Sequence, residues 1–220
     1  MLGNLLAETG LVGRAGEAFG EPFRRDVVPT LSRRGFDDYL VRESARRARG
    51  TSTLGYKLHR DQVEVFLYLL RLRRGLRGAS DGEVVAAVFP RPRYVFMTRD
   101  DRLAQAVSWW KSMTTGQWID GESPQGEARF DAAGIAGRLR QIDAHNQAWC
   151  DWFAGNRIEP LAVTYEALVA DPTGEARRIL EFVGVDVPAG FEAVPRTKVQ
   201  ADPVNREWIE RYRELETQSR

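Results

Sequence analysis

The chain has 220 residues, 43% hydrophobic and 29% charged, with 32 basic side chains against 31 acidic ones. That length gives one domain with a substantial core, and the near-balance of charge removes the electrostatic case for general nucleic-acid binding. No apolar run approaches the ~20 residues of a membrane span, the single Cys150 forbids an intramolecular disulfide and suits a reducing compartment, and the start lacks the basic-then-apolar order of a secretory signal, so a cytoplasmic protein is expected.

No repeat or low-complexity linker divides the chain. Leu2, Leu5 and Leu6, with Gly10 as a stop, read as a short helix. The Gly-rich stretch 13–23 reads as a loop carrying Glu17, and a loop glutamate is ordinarily just solvated. The arginine-rich stretch 41–50 reads as a solvated helix face, with an anionic partner as the alternative. Residues 53–58 read as a strand with Leu54, Tyr56 and Leu58 on one side and Lys57 and His59 on the other. A helix follows, for which Asp61 and Glu64 make a capping pattern and Gly75 a stop.

Residues 93–98, "RYVFMT", are the next strand, and Asp100 or Asp101 caps the helix after it. Leu103, Val107, Trp110 and Thr114 share one face of that helix. Trp109 and Trp118 fall outside that spacing, and aromatic faces of this kind stack on sugar rings. A long helix near 131–154 turns Ile135, Leu139, Ile142, Trp149 and Phe153 inward, and 161–164 is a third strand. Asp171-Pro172 opens a helix that Gly184 closes. Trp208, Tyr212 and Leu215 mark the inner face of a last helix.

Strands separated by helices predict a parallel sheet covered on both faces, with ligands beyond the carboxyl ends of the strands. Lys57, His59, Arg99 and Tyr165 then lie at or near the functional edge. Each has a plain alternative. Arg99 could cap the sheet edge and pair with Asp100 or Asp101, and Lys57 and His59 could end a solvated strand. A serine two turns into a helix, as Ser108 is, ordinarily has no special role. The sequence contains no HExxH, no Cys/His cluster with metal spacing, no GxSxG and no GxxxxGK[ST].

Five strings carry a resemblance: "LLAETGLVGRAGEAFG", "LGYKLH", "TRDDRLAQAVSWWKSMTTGQW", "VTYEALVADPTGEARRILEFVGV" and "QADPVNREWIERYR". In order and spacing they resemble the trehalose 2-sulfotransferase-like family of bacterial sulfotransferases along nearly the whole chain. The resemblance implies a single domain over 1–220 with a three-layer α/β/α, P-loop-like fold and a parallel sheet. It implies 3′-phosphoadenosine 5′-phosphosulfate (PAPS) as sulfuryl donor, a sugar hydroxyl as acceptor and no metal. By resemblance Arg99 and Ser108 grip the 3′-phosphate of the donor, Tyr165 contacts the adenine, and Glu17 is the catalytic base. Lys57 matches the family's G-x-K-L pattern and supports the donor or the acceptor site. His59 and Trp118 fall with Lys57 on the acceptor side, and His59 is the alternative base. The resemblance allows a homodimer, although no interface is marked in the sequence, and it implies neither nucleic acid nor a membrane as partner.

Two departures stand out. The family reads Arg-Gln-Ala-Asp where this chain has Val199-Gln200-Ala201-Asp202, so Arg196 or Lys198 is expected to supply the missing charge. Met1 also stands where the helix after the family's first strand and phosphosulfate loop begins, so the first strand is missing. Further in-frame residues upstream are the expected explanation. The alternatives are a non-catalytic remnant that binds the nucleotide or a sugar, and a P-loop kinase relative, which the absent Walker lysine disfavours.

Overall fold

The computed structural model describes residues 2–20, 23, 33–118, 123–195 and 202–218. Its elements run α1 (Leu2–Glu8), β1 (Gly16–Glu17), α2 (Arg33–Ala48), β2 (Tyr56–Lys57), α3 (Arg60–Arg74), α4 (Asp81–Ala86), β3 (Val95–Thr98) and α5 (Arg102–Thr115). They continue with α6 (Ala132–Gly155), β4 (Leu161–Thr164), α7 (Tyr165–Ala170), α8 (Pro172–Phe182) and α9 (Pro203–Gln218).

The strands pair in parallel, as expected of strands joined through helices. β1 lies beside β2 with Gly16 opposite Tyr56 and Glu17 opposite Lys57. β3 lies beside β4 in a register that runs from Val95 opposite Leu161 to Thr98 opposite Thr164. Among the described residues these are two separate two-stranded sheets, where the sequence suggested one. The strand expected over 53–58 shrinks to Tyr56–Lys57. Its approach is spent on a turn, in which the Thr53 carbonyl accepts from Gly13 N–H at 2.8 Å and from the Thr51 hydroxyl at 2.8 Å.

Three apolar clusters hold the elements. One gathers Phe19, Phe36, Phe66, Leu70 and Val84 between β1, α2, α3 and α4, with the Phe19 and Phe66 rings 4.4 Å apart. Phe19 is fully buried and fixes the chain two residues beyond Glu17. The second packs Leu5 and Leu6 of α1 against Val163, Leu168, Ile179 and Leu180. The third joins α5, α6 and α9 through Val107, Ile135, Ile142, Trp208 and Tyr212. Leu215, expected inward on α9, is 40% exposed. Trp109 packs partly against this third cluster, with the Arg138 guanidinium 5.1 Å above its ring, which leaves less of it open than its spacing suggested.

The caps follow local chemistry. Asp101, rather than Asp100, caps α5, its carboxylate accepting from Ala104 N–H at 2.9 Å. Asp171 caps α8 ahead of Pro172 and accepts from Gly174 N–H at 2.8 Å. At α3 the expected Asp61–Glu64 pattern is displaced. The cap is His59, and the Gln62 side chain reaches back to accept its N–H at 3.2 Å. Glu64 points to solvent, 83% exposed.

Candidate active site

Parallel pairing places the last residues of neighbouring strands side by side. Glu17 ends β1 and Lys57 ends β2, so the register makes them cross-strand neighbours at the carboxyl end of that pair. The Lys57 ammonium donates to Glu17 Oε1 at 2.8 Å. His59 Nε2 meets the same oxygen at 3.0 Å. From the first turn of α3, Gln62 Nε2 donates to the other oxygen, Oε2, at 3.3 Å. The main chain is held as firmly. Arg47 of α2 is 5% exposed, donates to the Glu17 carbonyl at 3.2 Å and pairs with Glu43 at 3.1 Å. The approach is close, since a Cβ on Gly16 would stand 2.7 Å from Arg47 Nη1 and the guanidinium would have to shift. Partial burial pushes the Glu17 carboxyl up, but hydrogen bonds and charge attraction from Lys57, then from His59, outweigh it and hold the group down at about 2.

The second edge is built the same way. Thr98 and Thr164 are opposite one another at the ends of β3 and β4, so the next residues, Arg99 and Tyr165, emerge together. The Arg99 guanidinium carbon sits 4.6 Å above the centre of the Tyr165 ring. Its partner is Glu166, 3.8 Å from Nε, in place of the Asp100 or Asp101 suggested by the sequence. Glu166 in turn accepts from Asp100 N–H at 3.0 Å and Asp101 N–H at 3.3 Å. Burial raises the Glu166 carboxyl, but these backbone bonds and Arg99 leave it lowered. Arg99 Nε is buried and makes no hydrogen bond among the described residues.

Ser108 lies in the second turn of α5, half-buried, and no hydrogen bond joins it to Arg99 among the described residues. One turn further, Lys111 pairs with Asp202, whose carboxylate also accepts from Val204 N–H at 2.9 Å. This ties the start of α9 to α5. Arg196 and Lys198 lie outside the described residues. Trp118, just past the end of α5, is 63% exposed. An open cavity of about 720 Å³ lies at the amino ends of β3 and β4, lined by Arg93, Tyr94, Asn156 and Arg157 among others. It is at the opposite end of those strands from Arg99 and Tyr165.

The model of the Stf0 sulphotransferase family matches residues 1–215. The chain belongs to the Stf0 sulphotransferase family. Among curated proteins it is similar to the trehalose 2-sulfotransferase of Mycolicibacterium smegmatis, 32% identical over 124 residues, which are 56% of this chain and 46% of that protein. The trehalose 2-sulfotransferase of Mycobacterium tuberculosis is 30% identical over 124 residues, with the same shares of the two chains. The chain thus spans about half the length of the curated relatives it matches.

For a sulfotransferase the two strand edges separate the groups into one cluster around a carboxylate and one around an arginine. Gln62, Arg47 and Glu166 belong to them and were not singled out in the sequence. Glu166 had a visible signal, since it follows Tyr165 at a strand end. Gln62 and Arg47 had none, because their importance arises from contacts 45 and 30 residues away.

Proposed function

We propose that the protein transfers the sulfuryl group of PAPS to a hydroxyl of a carbohydrate. The observation that carries this is the Glu17 carboxylate at the carboxyl end of a parallel strand pair, with the Lys57 ammonium and the His59 ring on one oxygen and an amide on the other. Such a group accepts the proton of an attacking hydroxyl.

The donor supplies a sulfuryl group already bound to a good phosphate leaving group. Glu17 removes the acceptor proton while the acceptor oxygen bonds to sulfur and the sulfur–oxygen bond to the nucleotide phosphate breaks, its electron pair leaving with the nucleotide. Lys57 offers positive charge beside the reacting atoms. Arg99 suits the 3′-phosphate, because its buried Nε lacks a hydrogen-bond acceptor among the described residues and its forked donors match phosphate oxygens. Ser108 adds a hydroxyl to the same phosphate, and Tyr165 contacts the adenine. By resemblance Arg196 or Lys198 adds positive charge for that phosphate. Trp118, 63% exposed, is the aromatic side chain assigned to the sugar, and His59 lies on the acceptor side. The two parallel strand pairs with their intervening helices agree with a P-loop-like three-layer arrangement in a single domain. The named activity of the two mycobacterial relatives favours a sugar acceptor.

Nucleotide binding tests the donor assignment. Adenosine 3′,5′-bisphosphate should bind more tightly than adenosine 5′-monophosphate. A hydrogen bond to a charged group contributes about 1.5–3 kcal/mol, so Arg99→Ala should weaken the bisphosphate roughly tenfold or more in a calorimetric titration. Equal affinity for the two nucleotides would remove Arg99 from this role.

A further inference from the structure

We infer that Gln62 is a positioning residue for the proposed base, holding the Glu17 carboxylate so that Oε2 keeps one lone pair open for the acceptor proton. The inference rests on the sulfuryl-transfer role proposed for Glu17.

Gln62 is 5% exposed, one of the few buried polar side chains among the described residues. A buried amide is costly unless its donors and acceptor are engaged. Here Oε1 accepts from His59 N–H at 3.2 Å and Nε2 donates to Glu17 Oε2 at 3.3 Å. Its neighbours fix which way the amide faces. Turning it over would set an N–H against the His59 N–H and a carbonyl against a carboxylate oxygen, two repulsive pairs in place of two bonds. The α3 helix start therefore dictates the amide orientation, and the amide dictates the rotation of the carboxylate.

The division of labour on Glu17 follows from counting lone pairs. Oε1 accepts from both Lys57 at 2.8 Å and His59 at 3.0 Å, which uses both of its lone pairs. Among the described residues Oε2 accepts from Gln62 alone, through the longest of the three bonds. The long neutral contact orients Oε2 and withdraws little of its basicity, whereas the two shorter contacts, one of them from an ammonium, make Oε1 the poorer base. In the reaction the acceptor O–H bond breaks and its proton passes to Oε2, as the oxygen's electron pair forms the new bond to sulfur.

Gln62→Glu tests this while keeping the helix start, because a glutamate oxygen still accepts from His59 N–H. What it loses is the N–H toward Glu17, and it adds a second carboxylate beside the first. A displacement of ~1 Å at a reacting group can cost about a hundredfold in rate. With PAPS and trehalose, kcat should therefore fall roughly tenfold or more while the KM for PAPS stays within about twofold. The acid limb of the kcat profile should move up in pH. A reading independent of any acceptor comes from the Glu17 side-chain carboxyl carbon resonance, whose titration midpoint should rise from its place near 2. Gln62→Met, of similar length and without either polar group, should show the same fall in kcat and decides the matter by the same readings if Gln62→Glu binds no nucleotide. A Glu17 midpoint and a kcat both unchanged in Gln62→Glu would overturn the inference and reduce Gln62 to a helix cap. Glu17→Gln is measured alongside. Full activity in that variant refutes the base assignment itself, whereas an inactive Glu17→Gln with an unaffected Gln62→Glu refutes only the positioning role.

Discussion

Glu17 sits at about 2, well below an ordinary carboxyl, so it is ionised at every pH at which an enzyme of this kind is assayed. It is ready to accept a proton but holds it weakly. The ammonium of Lys57 is the leading cause that lowers it, ahead of His59. A sulfuryl donor is strongly anionic, and drawing Lys57 toward it would return basicity to Glu17 as the donor arrives. Lys57→Met should accordingly raise the titration midpoint of the Glu17 carboxyl in the free protein from near 2 toward the ordinary 4.5, in addition to lowering kcat. The same depressed group ties stability to pH. Its contribution is present above the unfolded value of 4.5 and is lost as pH falls toward 2. Thermal melts of the parent and Glu17→Gln should therefore converge across that window. His59 spends Nε2 on Glu17 Oε1 at 3.0 Å, so it supports the carboxylate. His59→Asn should reduce kcat far less than Glu17→Gln, and the reverse order would make His59 the base.

At the scale of elements, the meeting of Arg99 and Tyr165 is a consequence of register: four paired residues in β3 and β4 end level, and the two side chains must then emerge together. Strand ends flanked by helix caps are legible in sequence, and Arg99 and Tyr165 were found in this way. The α3 start was misplaced because Asp61 and Glu64 match a capping pattern, while the capping box closes two residues earlier, between His59 and the Gln62 side chain. α2 was only partly read, since its many charged side chains give it little amphipathic signal, and α4 and α7 are six residues each, too short for periodicity to show. The α5–α6 packing that carries Ser108 is tight at one point. A Cβ on Gly134 would stand 2.6 Å from the Trp110 ring, whose Nε1 also donates to the Arg129 carbonyl at 3.0 Å. Although alanine favours a helix over glycine by about 1 kcal/mol, overpacking of this kind costs about 1–3 kcal/mol. Gly134→Ala should thus lower the denaturation midpoint, and a raised midpoint would show that Trp110 yields freely.

Over the whole molecule, two parallel strand pairs each present a charged cluster at their carboxyl ends, one centred on a carboxylate and one on a guanidinium. Transfer of an anionic group to a hydroxyl calls for those two chemistries, a base for the acceptor and a cationic grip for the donor. The family was legible from five strings spread over nearly the whole chain, and the match over residues 1–215 agrees with it. The grouping of Glu17, Lys57, His59 and Gln62 was less so, because a two-residue strand pair leaves almost no periodic trace and only the fold brings position 17 to positions 57–62. The most direct measurement is release of adenosine 3′,5′-bisphosphate from PAPS by the full-length protein, with trehalose and a panel of other sugars as acceptors, for the parent and for Glu17→Gln. A base of this kind contributes about 10²–10⁴ in rate. Sugar-dependent release that falls by about that factor in Glu17→Gln, with nucleotide affinity unchanged, is the expected result. Nucleotide binding without release for any sugar, or release that is indifferent to Glu17, would contradict it.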